Sequence, residues 1–300
     1  MPGIGEAAAL GSALGWGLLN VLVRWESRRI DVLLHNALRA TFSTSTTLAV
    51  LLVIGLLGWH TPRFGPQPLL GIAYLVLSVL LLVAVGDSLY FVAVHRIGVV
   101  KAMILSGSSP LITAVLAVLF LAEPLSVGLV LGVVLIPSGL YLVTLPGRGR
   151  PTEPVADAAG ARSGMLMALA AAVMWAVATI VVRPGLDQVD FLSAVGIRTA
   201  AALISVWFVA WVCGRVTRQM QVPWIRVRMA LLGGLLTAVA SFLFILAIDH
   251  AGAARTSILT ATSPLYAVPL SAWLLGEAVT RRTLLGAALA VGGVMVVVAL

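Results

Sequence analysis

The sequence predicts an all-α polytopic membrane protein of about ten transmembrane helices, arranged as two inverted five-helix repeats. Three observations lead there: an apolar composition, apolar runs of spanning length, and an internal duplication. Of 300 residues, 61% are hydrophobic and 10% charged, with a mean hydropathy of +1.10. A water-soluble domain of this length needs more charge to cover its surface. Runs such as Leu69 to Val85 and Leu284 to Leu300 are apolar over lengths that cross a bilayer core. Lipid leaves no backbone group paired except in helices and closed barrels, so these runs are read as helices and the bilayer as their solvent.

In chain order the spans are expected near 5–23, 33–58, 69–94, 98–121 and 127–145, then 164–183, 191–213, 229–248, 252–275 and 283–300. The first begins at the N-terminus. MPGIGEAAALGSALGW lacks a basic leader region and carries Glu6, so it reads as a retained span rather than a signal peptide. Pro146 to Gly164 is the longest polar stretch and reads as a linker. The expected division is a first repeat over 1–145, a linker over 146–163 and a second repeat over 164–300.

The duplication is visible by self-comparison. A displacement of 154 positions lays Gly98, Ser109, Pro110, Glu123 and Gly132 on Gly252, Ser263, Pro264, Glu277 and Gly286. Nearer the N-terminus a displacement of 159 lays Trp16, Arg24, Asp31 and Arg39 on Trp175, Arg183, Asp190 and Arg198. Leu and Ala matches count for little in such sequence; the Ser-Pro, Glu, Trp and Arg matches carry the case. With an odd number of spans per half, the second half enters from the opposite side. That is the inverted-repeat architecture of many secondary transporters, with a midplane site between the repeats.

The Trp16…Asn20…Arg24 run, Arg39 and Ser109-Pro110…Glu123, repeated as Trp175…Arg183, Arg198 and Ser263-Pro264…Glu277, resemble the EamA-type repeat of the drug/metabolite transporter superfamily. The resemblance covers nearly the whole chain. It implies a ten-helix exporter or importer of amino acids, metabolites or drugs, in a bacterial-type plasma (inner) membrane. One departure matters. The coupling carboxylate of the four-helix multidrug-resistance relatives falls on Trp16 here, so proton coupling through such a group is not supported.

The net charge of +8 forms no block that would suit nucleic acid, and the Trp and Phe side chains sit inside the spans. Arg24, Arg28, Arg29, Arg96, Lys101, Arg148, Arg150, Arg162, Arg215, Arg218, Arg226, Arg228, Arg281 and Arg282 fall in loops of one side, against Arg63, Arg183 and Arg255 on the other. The positive-inside rule then places both termini outside. The family resemblance implies termini in the cytoplasm, and the charge count is given the greater weight. Cys213 is alone, so no internal disulfide or cysteine metal cage forms. His35, His60, His95 and His250 are scattered, and no hydrolase or nucleotide-binding motif occurs, so neither enzyme, metal nor cofactor is implied.

Polar groups within spans are costly and single out the candidates. Asp87, two turns inside span three, is read as a carboxylate for a cationic group or proton, or else as a partner for Arg39; Tyr90 follows it. Arg39 and Arg198 read as paired gates, the latter with Asp249, or as snorkelling side chains. Arg39, Ser43 and Thr47 share a helix face, which suits a wet wall or a packed seam equally. Ser106, Ser109 and Pro110, with Thr260, Ser263 and Pro264, predict kinked, substrate-lining segments in spans four and nine. Trp16, Asn20 and Trp175 complete the set. Glu123 and Glu277 read as structural, each suiting the N-terminus of the following helix. Gly11/Gly15 and Gly128/Gly132 suit close helix packing, including a homo-oligomer. The expected function is a secondary transporter of a small organic solute, probable direction export. The alternatives are a channel-like facilitator and a non-transport membrane protein.

Overall fold

The computed structural model describes residues 3–26, 32–57, 68–97, 102, 105–144, 158–213, 224–267, 269 and 281–299, and no strand occurs among them. The helices are α1 (Ile4–Glu26), α2 (Val32–Leu56) and α3 (Leu69–Val79), which runs through a π-helical segment (Leu80–Asp87) into α4 (Ser88–Ile97). Then come α5 (Ser109–Leu121), α6 (Val127–Thr144), α7 (Ala158–Leu186) and α8 (Phe191–Val212). The last are α9 (Trp224–Ala251), α10 (Ala253–Thr260) and α11 (Arg281–Ala299). Five stretches are long and apolar enough to cross a membrane: Asn36–Leu56, Leu69–Val94, Gly160–Leu186, Phe191–Val212 and Ala230–Ala251. Shorter apolar helices cover Ile4–Leu19, Ser109–Leu121, Val127–Gly139 and Leu284–Ala299. Helix α7 starts at Ala158 and so takes in the end of the expected linker, whose earlier part lies outside the described residues.

Many large apolar side chains lie outside, while the interior mixes Leu, Ile and Val with many small or hydroxyl-bearing residues. Leu56, Leu69, Leu119, Phe120 and Ile204 are exposed, whereas Ala9, Ala13, Ala172, Ala240, Ser12, Thr113 and Thr256 are fully buried. So many exposed apolar side chains fit lipid as the outer solvent, because hydrocarbon gives them no reason to hide.

The halves interpenetrate. Helix α1 packs on α9 as α7 packs on α3 and α4; α2 packs on α9 as α8 packs on α3; α5 packs on α7 as α10 packs on α1. The pairs α2–α8, α5–α10 and α6–α11 each join equivalent helices of the two halves. Every one of these contacts maps onto another, or onto itself, when the halves are exchanged. Small residues make the approach possible. A side chain at Gly15 would meet Ala240 Cβ at 2.8 Å, and one at Gly11 would meet Leu243 at 3.0 Å. Gly132 likewise faces Val297 across the α6–α11 seam. The named glycines therefore join helices of one chain.

Spans four and nine differ from the expectation. Pro110 was expected to kink a continuous helix, but residues 107–108 form a turn and α5 begins at Ser109. Pro110 therefore sits in a first turn, where its missing N–H removes no helical bond. A turn at 261–262 separates α10 from helical residues 263–267 in the same way, with Pro264 in the first turn. Equivalent hydroxyls cover carbonyls at both breaks: Ser108 Oγ donates to Leu105 O at 2.7 Å, and Thr262 Oγ1 to Leu259 O at 2.6 Å.

Candidate functional site

The π segment is the irregular part of span three. A π turn shifts hydrogen bonding from i+4 to i+5 and leaves carbonyls open to other donors. Here the Trp175 indole N–H of α7 fills that role, donating to Leu82 O at 3.2 Å and to Asp87 Oδ1 at 3.1 Å. Gly86 permits the approach, since a Cβ there would lie 2.6 Å from the indole Cδ1 and Nε1. Tyr90 stands one turn beyond Asp87, its ring centroid 5.4 Å from that of Trp175 and tilted by 46°. Asp87, Tyr90 and Trp175 thus come together, two from the first half and one from the second.

Arg39 enters the same region from α2. It and Asp87 are close enough to attract one another electrostatically, yet they form no ion pair. The expected direct Arg39–Asp87 bridge is corrected accordingly. Arg39 donates to Thr237 Oγ1 at 2.6 Å and to Asn36 Oδ1 at 3.0 Å, and its buried Nε has no partner. Thr237 is the partner from α9, which packs along α2.

Arg198 was expected to find Asp249. Instead it is buried, 7% exposed, and donates to Ser78 Oγ of α3. Asp249 ends α9, which packs on α1 and α2, while Arg198 lies on α8, which packs on α2 and α3. Asp249 stands 4.0 Å from Arg183 instead, and Arg183 also donates to the backbone carbonyls of Ile248 and Asp249. Arg39 and Arg198, equivalent in the repeat, each reach a hydroxyl in the opposite half.

Other candidates divide. Ser43 and Thr47 are buried, and the Ser43 backbone lies against Gly234, so this face of α2 is a seam with α9 rather than an open wall. Neighbouring hydroxyls serve as cross-links: Thr44 donates to Thr199 O at 3.2 Å, and Thr41 accepts the Trp207 indole N–H at 3.0 Å. Ser106 and Pro110 are buried, Thr260 donates to Thr256 O, and Ser109 and Pro264 are half-buried. The Ser263 carbonyl faces Gly17 of α1. Trp16 is half-buried, and the position that corresponds to Asp87 in the second half is Ser241. The Asn20 side chain and Glu277 lie outside the described residues.

One end of the bundle is held by charge. Glu6 of α1 binds Arg255 of α10 at 3.1 Å, and Arg183 binds Asp187 at 3.3 Å. The expectation that Glu123 serves the helix following it is corrected: its carboxylate accepts the Ala253 and Ala254 N–H groups of α10, in the other half.

The parts of the candidate site that sequence reasoning missed are Thr237 and Ser78, which hold the arginines, and the π segment itself. Gly86 beside Asp87 was the available signal, as a gap in the wall next to an intramembrane charge. No group of three metal-ligating side chains occurs among the described residues.

An all-helical chain with apolar outer faces and charged groups at the seam of two duplicated halves is a multi-pass membrane protein of transporter type. The sequence pattern of the EamA-like transporter family matches residues 3–145 and again 162–299, so the chain belongs to that family, within the drug/metabolite transporter superfamily. No curated protein matches it in sequence. One solved structure, described only as the crystal structure of a protein, covers 99% of this chain and 96% of its own length, with a TM-score of 0.77 at 18% identity. At that identity the likeness concerns the fold alone.

Proposed function

We propose that the protein is a secondary transporter that exports a small organic solute by alternating access, with ten spans in two inverted five-helix repeats rocking about a central site. The observation that carries this reading is the meeting of Asp87, Trp175 and Arg39 across the seam of the two halves. Ionisable groups within spans are expensive and are retained where they face a partner or a pathway. A site shared by both halves is remade whenever the halves move relative to one another, which is what alternating access requires. The reciprocal helix pairing supports two equivalent rocking units. Membership of the EamA-like transporter family supports the transport role.

The test is counterflow in proteoliposomes, with the solute chosen by a growth screen of expressing cells against amino acids, nucleobases and toxic cations. The reading expects saturable uptake that is accelerated by the same solute on the opposite side. Flux that rises linearly with concentration and ignores solute on the other side would indicate a channel-like facilitator instead.

A further inference from the structure

The corner formed by Asp87, Tyr90 and Trp175 has a chemistry that helix packing does not call for. Asp87 Oδ1 accepts the Trp175 N–H at 3.1 Å, and Oδ2 takes no hydrogen bond from the described residues. All three side chains are only half-buried, although α7 packs on one side of the π segment and Arg39 of α2 lies near it. Arg39 is committed to Thr237 and Asn36 and does not touch the carboxylate. Among the described residues, the carboxylate is therefore bonded through one oxygen only, beside two tilted aromatic rings 5.4 Å apart.

A carboxylate in such a place favours a cation with N–H or polarised C–H groups, and aromatic faces favour the same cation through their quadrupoles. A neutral or anionic group would leave the carboxylate desolvated without compensation. A divalent metal would need several oxygen ligands, and no group of three metal-ligating side chains occurs among the described residues. A lone proton gains nothing from the rings. In the repeat Trp16 corresponds to Trp175 and Ser241 to Asp87, so the other half has no carboxylate at the matching position.

We propose that the Asp87–Tyr90–Trp175 corner is a subsite for the substituted ammonium group of the transported solute. The inference rests on the central-site reading and narrows its substrate to organic cations and ammonium-bearing compounds. The carboxylate supplies the charge partner, Trp175 both orients that carboxylate and offers a ring, and Tyr90 offers the second ring.

The experiment measures binding of labelled phenylethylammonium and tetraethylammonium to the purified full-length protein in lipid nanodiscs. Saturable binding of at least one is expected, with 2-phenylethanol and phenylacetate unable to compete at tenfold higher concentration. Asp87→Asn should lose binding at least tenfold while Asp87→Glu keeps part of it. Tyr90→Leu should weaken binding roughly two- to thirtyfold, the range of one cation–π contact; it serves as the second variant if Asp87→Asn does not fold. Absence of binding by both ammonium probes, unchanged binding in the folded variants, or equal competition by 2-phenylethanol overturns the proposal. Binding without counterflow of the bound probe would leave the subsite standing and overturn transport. Saturable counterflow of a neutral solute, indifferent to both ammonium probes, would do the reverse.

Discussion

The Glu123 carboxylate receives the backbone N–H of Ala253 at 2.7 Å and that of Ala254 at 3.0 Å, across a sequence separation of 130 residues. It caps a helix in the opposite half of the protein, and Gly252, at φ +83°, makes the turn that presents those N–H groups. A Cβ at 252 would lie 2.9 Å from Glu123 Oε1, so the position is constrained both by backbone and by space.

Glu123→Gln keeps the shape but loses the charge and one of the two acceptors. A loss of about 1–2 kcal/mol is expected, the range of a charge-assisted cap. Unfolding of the reconstituted protein by SDS titration measures it, and an unchanged midpoint would remove the cap from the stabilising contacts. Gly252→Ala should cost a similar amount for the separate reason of strain.

The Glu6–Arg255 and Arg183–Asp249 contacts close one end of the bundle, and their repeat equivalents have lost the opposite charges. Met165 and Lys101 stand for Glu6 and Arg255, and Arg24 and His95 for Arg183 and Asp249. This asymmetry favours closure at the end that carries Glu6. Glu6→Gln should therefore raise the accessibility of interior cysteines from that end, by up to about fivefold, since a partly exposed pair contributes at most about 1 kcal/mol. Thiol-labelling rates in proteoliposomes decide the matter; a faster rate from the opposite end would reverse the assignment.

Asp87 and Arg39 attract one another without contact, so a double-mutant cycle of Asp87→Asn and Arg39→Gln should give a stability coupling below about 1 kcal/mol. Breaking a directly bonded buried pair costs about 3–5 kcal/mol. A coupling in that larger range would mean that the two side chains bond to each other in the membrane.

Gly15 lies against Ala240, and no void waits there for a larger side chain. Gly15→Leu should abolish the folded, monodisperse protein, while Gly15→Ala should cost about 1–3 kcal/mol, as overpacking does. Wild-type yield of Gly15→Leu would show that α1 and α9 separate easily.

Inversion of the repeats requires Gly65 and Thr152 to lie on opposite sides of the membrane. Single cysteines at these positions, in a Cys213→Ser background, should react unequally with an impermeant thiol reagent in intact cells. The background change is needed because Cys213 is free and exposed. Equal labelling would exclude the inverted arrangement, and labelling of Thr152 alone would overturn the charge-based orientation.

Helix existence and the duplication were legible because composition and a fixed repeat distance are properties of the chain itself. The Trp16/Trp175 and Arg39/Arg198 matches identified the region of the site for the same reason. Partners were less legible. Arg198 reaches Ser78 and not Asp249 because helix α8 packs on α3, and a sequence does not state which helices are neighbours. The breaks at 107–108 and 261–262 were read as kinks because a proline pattern alone does not separate an interior position from a first turn. The π segment was invisible for a related reason, since its extra residue per turn leaves the apolar pattern of span three intact.

Interpenetration of the halves has a consequence for biogenesis. Helices α1 and α2 take α9 as their main neighbour, and Ser12 and Arg39 bond to Ala240 and Thr237 there. When α1 to α6 leave the ribosome, none of those partners has been synthesised. Those polar groups therefore stay unmatched until α9 arrives, and the packing of α1 and α2 waits on the synthesis of the second half. The two halves expressed as separate polypeptides are accordingly expected to need each other in order to fold, which co-expression against single expression checks.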